Sequence, residues 1–253
     1  LQRASFALSR SNPGLSRRLL LQAVRLAVGP NVDMRHFTPN YNPWDQRLCI
    51  VPNGDLFAVL RSGRASIVTD RIDTFTETGI RLQSGAELEA DIVVTATGLN
   101  IQMLGGASVS VDGAPVATRD LVPYKGVLMS GLPNAMVVIG YTNASWTLKA
   151  DLAAHYFCRL LNHMKAKGYS TFVAVAKDSD RADESMMGSA LSSGYIARGD
   201  AVMPRQGRRE PWKTINNYYR DRAMLHGGRI EDGILRLAEP AAHVGRQAQS
   251  RSA

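Results

Sequence analysis

The stretch from residue 135 to residue 164 constrains the fold most, because a strand pattern, a short polar loop and a helix pattern follow one another there. Residues 135–139 (AMVVI) form a continuous apolar run that predicts a buried strand. Asn143 or Ser145 can cap the helix that follows, and Gly168 supplies a stop signal. Apolar side chains recur on one face of that helix, at Ala153, Phe157, Leu160, Leu161 and Met164. This order is typical of the α/β unit, in which loops at the carboxyl ends of strands bind ligands.

A second apolar run lies in DIVVTATGLN, where residues 91–95 predict another buried strand. Three short runs before it, at residues 66–75, 79–82 and 86–89, predict an antiparallel meander that leads into this strand. The strand ends in small residues, Ala96-Thr97-Gly98. Small side chains let a flat ligand or a crossing chain approach the backbone closely. A tight turn between two strands explains the same pattern.

The other predicted elements are a helix over residues 1–30, a short helix over 55–62, a helix over 211–225, a hairpin over 228–238 and a disordered tail from about residue 240.

Composition indicates a soluble globular protein, with 45% hydrophobic and 21% charged residues in 253. The net charge of +8 and the pI near 9.8 are compatible with a polyanionic partner. However, Lys and Arg are scattered and no nucleic-acid-binding motif accompanies them, so we expect a generic basic surface or a small anionic ligand. Cys49 and Cys158 both lie among apolar residues, which predicts reduced, buried thiols in a cytoplasmic protein. No apolar run reaches the ~18 residues of a membrane span, so no integral membrane segment is expected.

Several common chemistries have no motif in the sequence. The five histidines form no pair at metal-ligand spacing with another His or Cys, so no bound metal is expected. The nucleophile elbow Gly-x-Ser-x-Gly and the Walker A loop are also missing. Two candidate sites remain, the small residues after residue 95 and the polar loop before residue 146. Backbone amides at a helix start favour an anion or a carbonyl oxygen, although ordinary helix capping explains the second site as well.

Three long segments carry a resemblance to a known family: HFTPNYNPWDQRLCIVPNGDLF, ELEADIVVTATGLN and GYTNASWTLKADLAAHYFCRLLNHM. Together they resemble the C-terminal portion of class B flavin-containing monooxygenases. They are most similar to Baeyer–Villiger monooxygenases of the mycobacterial ethionamide-activating type. The resemblance runs from about residue 30 to residue 238.

The resemblance implies an α/β fold, a partial two-dinucleotide-binding-domain (Rossmann-like) flavoprotein fold that lacks the N-terminal half. Residues 1–95 would be the C-terminal part of the NADPH-binding domain with a helical lead-in. Residues 96–168 would be the returning part of the FAD-binding domain, and residues 169–253 a C-terminal extension with a disordered tail. The chain begins at Leu1 and contains neither a Gly-x-Gly-x-x-Gly motif nor the Baeyer–Villiger fingerprint, so we expect a C-terminal fragment.

The resemblance also implies roles for individual residues. Arg47 is the candidate catalytic cation, although it has the alternative of pairing with Asp45 or a loop carbonyl. Trp44 would line the substrate pocket or hold the loop in place. Lys125 would face NADPH or no ligand, and Lys149 would be solvated or structural. The residues expected to lie against FAD are Ala96, Thr97, Gly98, Thr142, Asn143, Ala144, Ser145 and Trp146.

The activity implied by the resemblance is an FAD- and NADPH-dependent monooxygenase. It would use O₂ and a peroxyflavin to oxygenate ketones or aldehydes by Baeyer–Villiger chemistry, or to oxidise a thio-compound. The alternatives are an N- or S-oxygenating flavin monooxygenase and an inactive remnant that needs a separate N-terminal half.

Overall fold

The computed structural model describes residues 2–187 and 191–240. The chain divides into two compact units. The first contains Leu1–Ile101 and Ser189–Gly199, and the second contains Gln102–Gly188 and Asp200–Ala253.

The α-helices of the described residues are α1 (Gln2–Ser11), α2 (Pro13–Val28), α3 (Asp55–Arg61), α4 (Trp146–Lys167), α5 (Gly194–Gly199) and α6 (Tyr218–Arg222). A π-helical turn, Ala223–Gly227, continues α6. The strands are β1 (Ile72–Thr76), β2 (Gly79–Leu82), β3 (Glu87–Glu89), β4 (Val109–Val111), β5 (Ala114–Val116), β6 (Pro123–Tyr124), β7 (Leu128–Met129), β8 (Thr171–Ala174), β9 (Arg181–Ser185), β10 (Arg205–Gly207) and β11 (Leu235–Ala238).

The predicted first helix is divided in two by Asn12-Pro13. Proline cannot donate within the first helix but suits the first turn of a new one. Asn12 caps α2, because its Oδ1 accepts a hydrogen bond from the Leu15 amide at 3.0 Å. The stop signal at Gly29 is confirmed, since α2 ends at Val28 and Gly29 has a φ of 81°. The short predicted helix is also confirmed, as α3.

The antiparallel meander in the first unit is confirmed as the sheet β1–β2–β3. Its first strand begins at Ile72 instead of residue 66, and the other two lie within one residue of their predicted bounds.

The prediction of a buried strand over residues 91–95 is wrong. Residues 91–100 belong to no strand and are exposed throughout, with Ile92 82% and Val94 83% accessible. A strand is stable only when a neighbouring strand satisfies its backbone N–H and C=O groups. Among the described strands, none pairs with this segment. Its β-branched sequence alone therefore does not bury it.

Helix α4 is the centre of the second unit. Its side chains Leu152, Ala153, Tyr156 and Leu160 are completely buried, and they pack in one hydrophobic cluster with residues of β8 and β11. The predicted apolar face is therefore correct in its helical spacing but rotated toward Leu152 and Tyr156, since Leu161 remains 44% exposed.

Residues 135–139 do not form the regular buried strand that the apolar run predicts. They are half-buried, and a single bridge joins Met136 to Leu128. The Val137 amide also donates to the Val127 carbonyl at 2.9 Å. All pairings between the named strands are antiparallel. The mixture of helix and strand agrees with an α/β class, and the Rossmann-like arrangement stays a prediction.

Two predictions near the end of the described chain are wrong. Only the second half of the expected helix over 211–225 is helical, because Asn217 caps α6 by accepting from the amides of Tyr219 and Arg220. The expected hairpin over 228–238 does not form. Instead β11 pairs with β8, which is more than 60 residues earlier. The predicted tail lies almost wholly outside the described residues.

The two cysteines are free, but both are exposed, so the expectation of buried thiols is wrong. Cys158 lies on the exposed side of α4, whereas Tyr156 and Leu160 of the same helix face the core. In the part of the chain that the structure describes, no helix has both the length and the apolar character to cross a membrane.

Candidate functional site

The polar loop before α4 is fixed by one amide side chain from a distant segment. The Thr142 amide donates to Oδ1 of Asn216 at 3.2 Å, and the Asn216 side-chain amide donates to Oγ1 of Thr142. The Asn143 side chain donates to the Asn216 carbonyl at 3.1 Å. Thr142 is buried, whereas Ser145 and Trp146 are exposed. The loop thus has a fixed inner edge and an open outer edge.

The first turn of α4 is not capped by a side chain of the described residues. Ser145 occupies the cap position with extended backbone, as predicted, but its Oγ lies 2.7 Å from Oγ1 of Thr147 instead of bonding a helix amide. The first amides of a helix have no partner within the helix and carry the positive end of its dipole. The start of α4 can therefore donate hydrogen bonds to an acceptor from outside the helix.

A buried ion pair lies directly behind this loop. The Lys149 Nζ is 2.9 Å from Oδ2 of Asp221, and the two side chains are 2% and 1% exposed. The Tyr141 hydroxyl donates to the same Oδ2 at 2.6 Å. Oδ1 of Asp221 is buried without a hydrogen-bond partner among the described residues. Lys149 is therefore structural, and the solvated alternative is wrong.

Burial changes the protonation equilibria of this cluster. Burial lowers the pKa of Lys149, although the charge of Asp221 opposes that shift. Burial raises the pKa of Tyr141 far above its usual range, and its hydrogen bond to Asp221 adds to the effect. The Tyr141 phenol thus remains a hydrogen-bond donor, because removing its proton would place a second negative charge beside Asp221.

Lys125 forms a second internal pair in the same unit. Its Nζ lies 3.0 Å from Oδ2 of Asp232 and donates to the Arg229 carbonyl at 3.1 Å. The Tyr124 hydroxyl also donates to Asp232. The side chain of Lys125 is only 5% exposed. Within the described chain, Lys125 is thus paired with an acid.

In the first unit, Trp44 is buried and packs edge-on against Phe6, with ring centroids 5.3 Å apart. Its backbone has a φ of 70°, which is uncommon for a residue with a side chain. This packing agrees with the alternative in which Trp44 holds its loop in place.

The candidate cation Arg47 is exposed. The Asp45 carboxylate accepts from the Arg10 guanidinium at 3.3 Å and from the Asn42 amide at 3.1 Å.

The small residues Ala96, Thr97 and Gly98 are exposed and belong to no helix or strand. Gly98 has a φ of 111°, a conformation that strongly favours glycine. Directly after it, the Arg198 guanidinium donates to the Leu99 carbonyl at 2.8 Å and to Oδ1 of Asn100 at 3.1 Å. One arginine of α5 therefore fixes the chain at the end of this segment.

The candidate residues fall into one set in each unit. Trp44, Arg47 and Ala96–Gly98 belong to the first unit, and Thr142–Trp146 belong to the second. Sequence reasoning missed Asn216, Asp221 and Arg198, because each acts on residues at least 70 positions away and no local pattern marks such a contact. Among the residues that the structure describes, no three His, Cys, Asp or Glu side chains are grouped closely enough to hold a metal ion.

Comparison with known proteins gives close relatives, although no family model matches the chain. The chain is 50% identical over 251 residues to the probable FAD-binding monooxygenase AlmA of Acinetobacter baylyi, which is 99% of the chain and 50% of AlmA. It is 54% identical over 242 residues to the putative FAD-containing monooxygenase MymA of Mycobacterium tuberculosis, covering 95% of the chain and 48% of MymA. It is 46% identical over 245 residues to the FAD-containing monooxygenase EthA of the same organism, covering 96% of the chain and 50% of EthA.

The chain spans about half the length of the curated relatives it matches. The similarity extends over almost all of its residues, including the three segments quoted above. The chain therefore belongs to the family of FAD-containing monooxygenases.

Proposed function

We propose that this chain is the C-terminal half of an FAD- and NADPH-dependent monooxygenase that uses O₂ to oxygenate a small molecule. One observation carries the proposal, namely 46–54% identity to FAD-binding and FAD-containing monooxygenases over at least 95% of the chain. The names of these relatives support FAD as the cofactor and monooxygenation as the reaction. We further propose that NADPH is the reductant and that the fold is Rossmann-like. We also propose that the chain lies at the C-terminal end of the longer protein.

The loop before α4 fits the ring end of a bound flavin. Its inner edge is fixed through Thr142 and Asn216, and the uncapped start of α4 offers amide donors. These donors suit the carbonyl oxygens of a flat heterocycle and favour negative charge on it. When bound, FAD supplies the redox chemistry with O₂. In this proposal Thr142, Asn143, Ala144, Ser145 and Trp146 hold and orient the ring.

The sequence contains no recognisable motif for binding the phosphates of FAD. No Gly-x-Gly-x-x-Gly is present, and that motif gives the backbone of a phosphate-binding turn its close approach to a dinucleotide. We therefore propose that residues outside this chain hold the pyrophosphate. Ala96, Thr97 and Gly98 would let the chain pass close to the cofactor.

Arg47 is proposed as the cation that stabilises negative charge in the reaction, because a guanidinium stays protonated at every working pH. Trp44 is proposed to shape the substrate pocket through the loop that it anchors. The proposed substrates are ketones, aldehydes or thio-compounds. The competing proposals are an N- or S-oxygenating enzyme and an inactive remnant. We also propose a cytoplasmic location, because the chain contains only two cysteines.

The deciding experiment uses the protein translated from the start codon of the gene, compared with the 253-residue chain. The longer protein is expected to be yellow as purified and to consume NADPH when a ketone is added. An ester or lactone as product supports Baeyer–Villiger chemistry, whereas an N- or S-oxide supports the competing enzyme. A colourless longer protein that leaves NADPH unchanged contradicts the proposed function.

A matched pair of variants tests the loop. Asn216→Ala in the longer protein removes the two hydrogen bonds that the Asn216 side chain makes with Thr142, so it is expected to lower the flavin content of the purified protein. Asn162→Ala, on the exposed side of α4, is the control and should keep the full flavin content. Equal flavin content in the two variants would exclude this loop as a determinant of flavin binding.

A further inference from the structure

The π-helical turn Ala223–Gly227 lies against α4 and is joined to it by two kinds of contact. Leu225 in this turn is completely buried, in the same hydrophobic cluster as the inner face of α4. The Arg159 guanidinium of α4 donates to the carbonyl of Leu225 at 2.6 Å and to that of Gly228 at 3.0 Å. Apolar packing and hydrogen bonds therefore hold the turn on the helix together.

Two histidines meet where the turn contacts α4. The imidazoles of His155 on α4 and His226 in the turn are stacked, with ring centroids 3.8 Å apart and planes 4° from parallel. His155 is exposed, whereas Nε2 of His226 is buried and has no hydrogen-bond partner among the described residues. A buried nitrogen without a partner costs much less free energy in a neutral ring than in a charged one. The closed contact therefore requires a neutral His226.

The charged groups around His226 make its protonation still less favourable. These groups are His155, Arg159 and Asp151 on α4 and Arg222 on α6. Of the four, only the Asp151 carboxylate favours a charged His226. Burial is the largest cause that lowers the pKa of His226, and the charge of His155 is the next. The charge of a protonated His155 would thus add to that of two arginines.

We propose that the stacked pair His155–His226 is a pH-sensitive latch, which holds the turn on α4 while both rings are neutral and releases it in acid. Two protonated rings at this distance repel each other, so the closed contact binds fewer protons than the open one. Because the pKa of His226 is lowered from 6.5, the contact is stable above pH 6.5 and weakens as the pH falls below that value. Asn216 and Asp221 lie on the stretch that leads into the turn, so its release loosens the supports of the loop before α4. The latch needs no bound flavin, so the inference goes beyond the proposed function.

The test uses the longer protein, translated from the start codon of the gene, and compares amide hydrogen exchange at about pH 7.5 and about pH 5, on either side of the ordinary histidine pKa. Mass spectrometry of peptides gives the exchange rates, which are corrected for the intrinsic pH dependence of amide exchange and then report the population of open molecules. Peptides that cover residues 216–228 are expected to exchange about five- to tenfold faster at the lower pH, because opening lets both imidazoles take up protons. Corrected rates that are the same at both pH values overturn the proposal.

Three variants assign the response to the stacked pair. His226→Phe keeps a flat ring against His155 but cannot take up a proton, so the acid response is expected to fall below about twofold. His155→Phe, at an exposed position, removes the second charge and should also reduce the response. His163→Gln is the matched control, because His163 is another histidine of α4 and pairs with Glu231 instead of a second histidine.

The control variant should keep the response of the parent protein, since glutamine still offers a hydrogen-bond donor to Glu231. An undiminished response in either phenylalanine variant overturns the proposal. Loss of the response in His163→Gln overturns it as well, because the pair with Glu231 would then be the titrating contact. None of these measurements depends on flavin content, so they remain decisive even if the longer protein is colourless.

Discussion

At the scale of single residues, Asp221 has the largest predicted effect, because two buried side chains bond to one of its oxygen atoms. Asp221→Asn keeps an acceptor for Tyr141 but leaves the buried Lys149 ammonium without a counter-charge. Removing one partner of a buried ion pair costs about 3–5 kcal/mol. We therefore expect a loss of that order in the free energy of unfolding, measured by urea denaturation.

Two further variants separate the ion pair from a general effect of substitution. Asp183→Asn removes an exposed acid of β9 and should change stability by less than about 0.5 kcal/mol. The double variant Lys149→Met/Asp221→Asn should be more stable than Asp221→Asn alone, because no unpaired charge remains buried. A double variant that is less stable than the single one would show that the charge is not the cause.

The buried tyrosines predict how stability changes with pH. Burial raises the pKa of Tyr156 from 10.0 to about 12, and that of Tyr124 and Tyr141 further still. Below pH 10 these phenols are protonated in both folded and unfolded chains. Above pH 10 the unfolded chain loses protons that the folded chain keeps, so the free energy of unfolding falls by about 1.4 kcal/mol per pH unit for each tyrosine.

Urea denaturation at about pH 8 and about pH 11 measures this loss. Tyr156→Phe should make the dependence shallower, because one of the three groups no longer titrates. The lowered pKa of Lys149 acts in the opposite direction below its usual value of 10.5, where it makes stability rise with pH. An unfolding midpoint that stays constant across this range would contradict the prediction for the tyrosines.

At the scale of elements, the entry into α4 depends on the absence of a side chain at Gly140. A Cβ there would lie 2.3 Å from Cγ and 2.8 Å from Cα of Trp146. Gly140→Ala is therefore expected to displace Trp146 and to lower the free energy of unfolding by about 1–3 kcal/mol. Gly227→Ala is the control, because a Cβ at Gly227 meets no atom within 4 Å. Tryptophan fluorescence and urea denaturation of the two variants provide the comparison.

The elements that the sequence predicts well are those whose determinants are local. Helix α4 has apolar spacing, a cap position at Ser145 and a left-handed Gly168 at its end, all within 24 residues. The meander has tight turns between short strands. Residues 91–95 and 135–139 instead need strands from elsewhere to become regular strands, and an apolar pattern does not reveal whether those partners are present. Residues 211–217 are likewise not helical, because Asn217 caps the helix and α6 begins only at Tyr218.

The candidate site shows the same division between local and distant determinants. The polar loop before α4 is visible in the sequence, because a capping residue precedes a helical pattern. The residues that support this loop cannot be identified from the sequence, because Asn216 and Asp221 lie more than 70 residues from the residues they bind. Lys149 illustrates the difference most clearly: a lysine in the first turns of a helix is usually solvated, and only the distant carboxylate makes its burial possible.

At the scale of the whole molecule, the segment after the meander presents apolar side chains to solvent. Ile92, Val94 and Leu99 are 82%, 83% and 73% exposed. Apolar side chains that are exposed together on a segment outside any sheet readily associate with other chains. We expect the 253-residue protein to self-associate as its concentration rises, as measured by analytical ultracentrifugation.

Ile92→Thr/Val94→Thr should reduce this association while the urea midpoint stays the same, since neither side chain is buried. Ile50→Thr, which changes another exposed isoleucine of the first unit, should associate as the parent does. A parent protein that remains monomeric at high concentration would show that the exposed segment is not adhesive.

Each of the two units consists of two separate stretches of sequence, and this arrangement determines how the protein can be cut into its units. The first unit ends at Ile101 but regains residues near α5, where the Ser192 amide donates to the Asp45 carbonyl and Arg198 binds Leu99. A single cut after residue 101 would therefore remove α5 from the unit that it completes. Expressing either unit alone requires joining two separate pieces of sequence, and a library of simple truncations would contain neither.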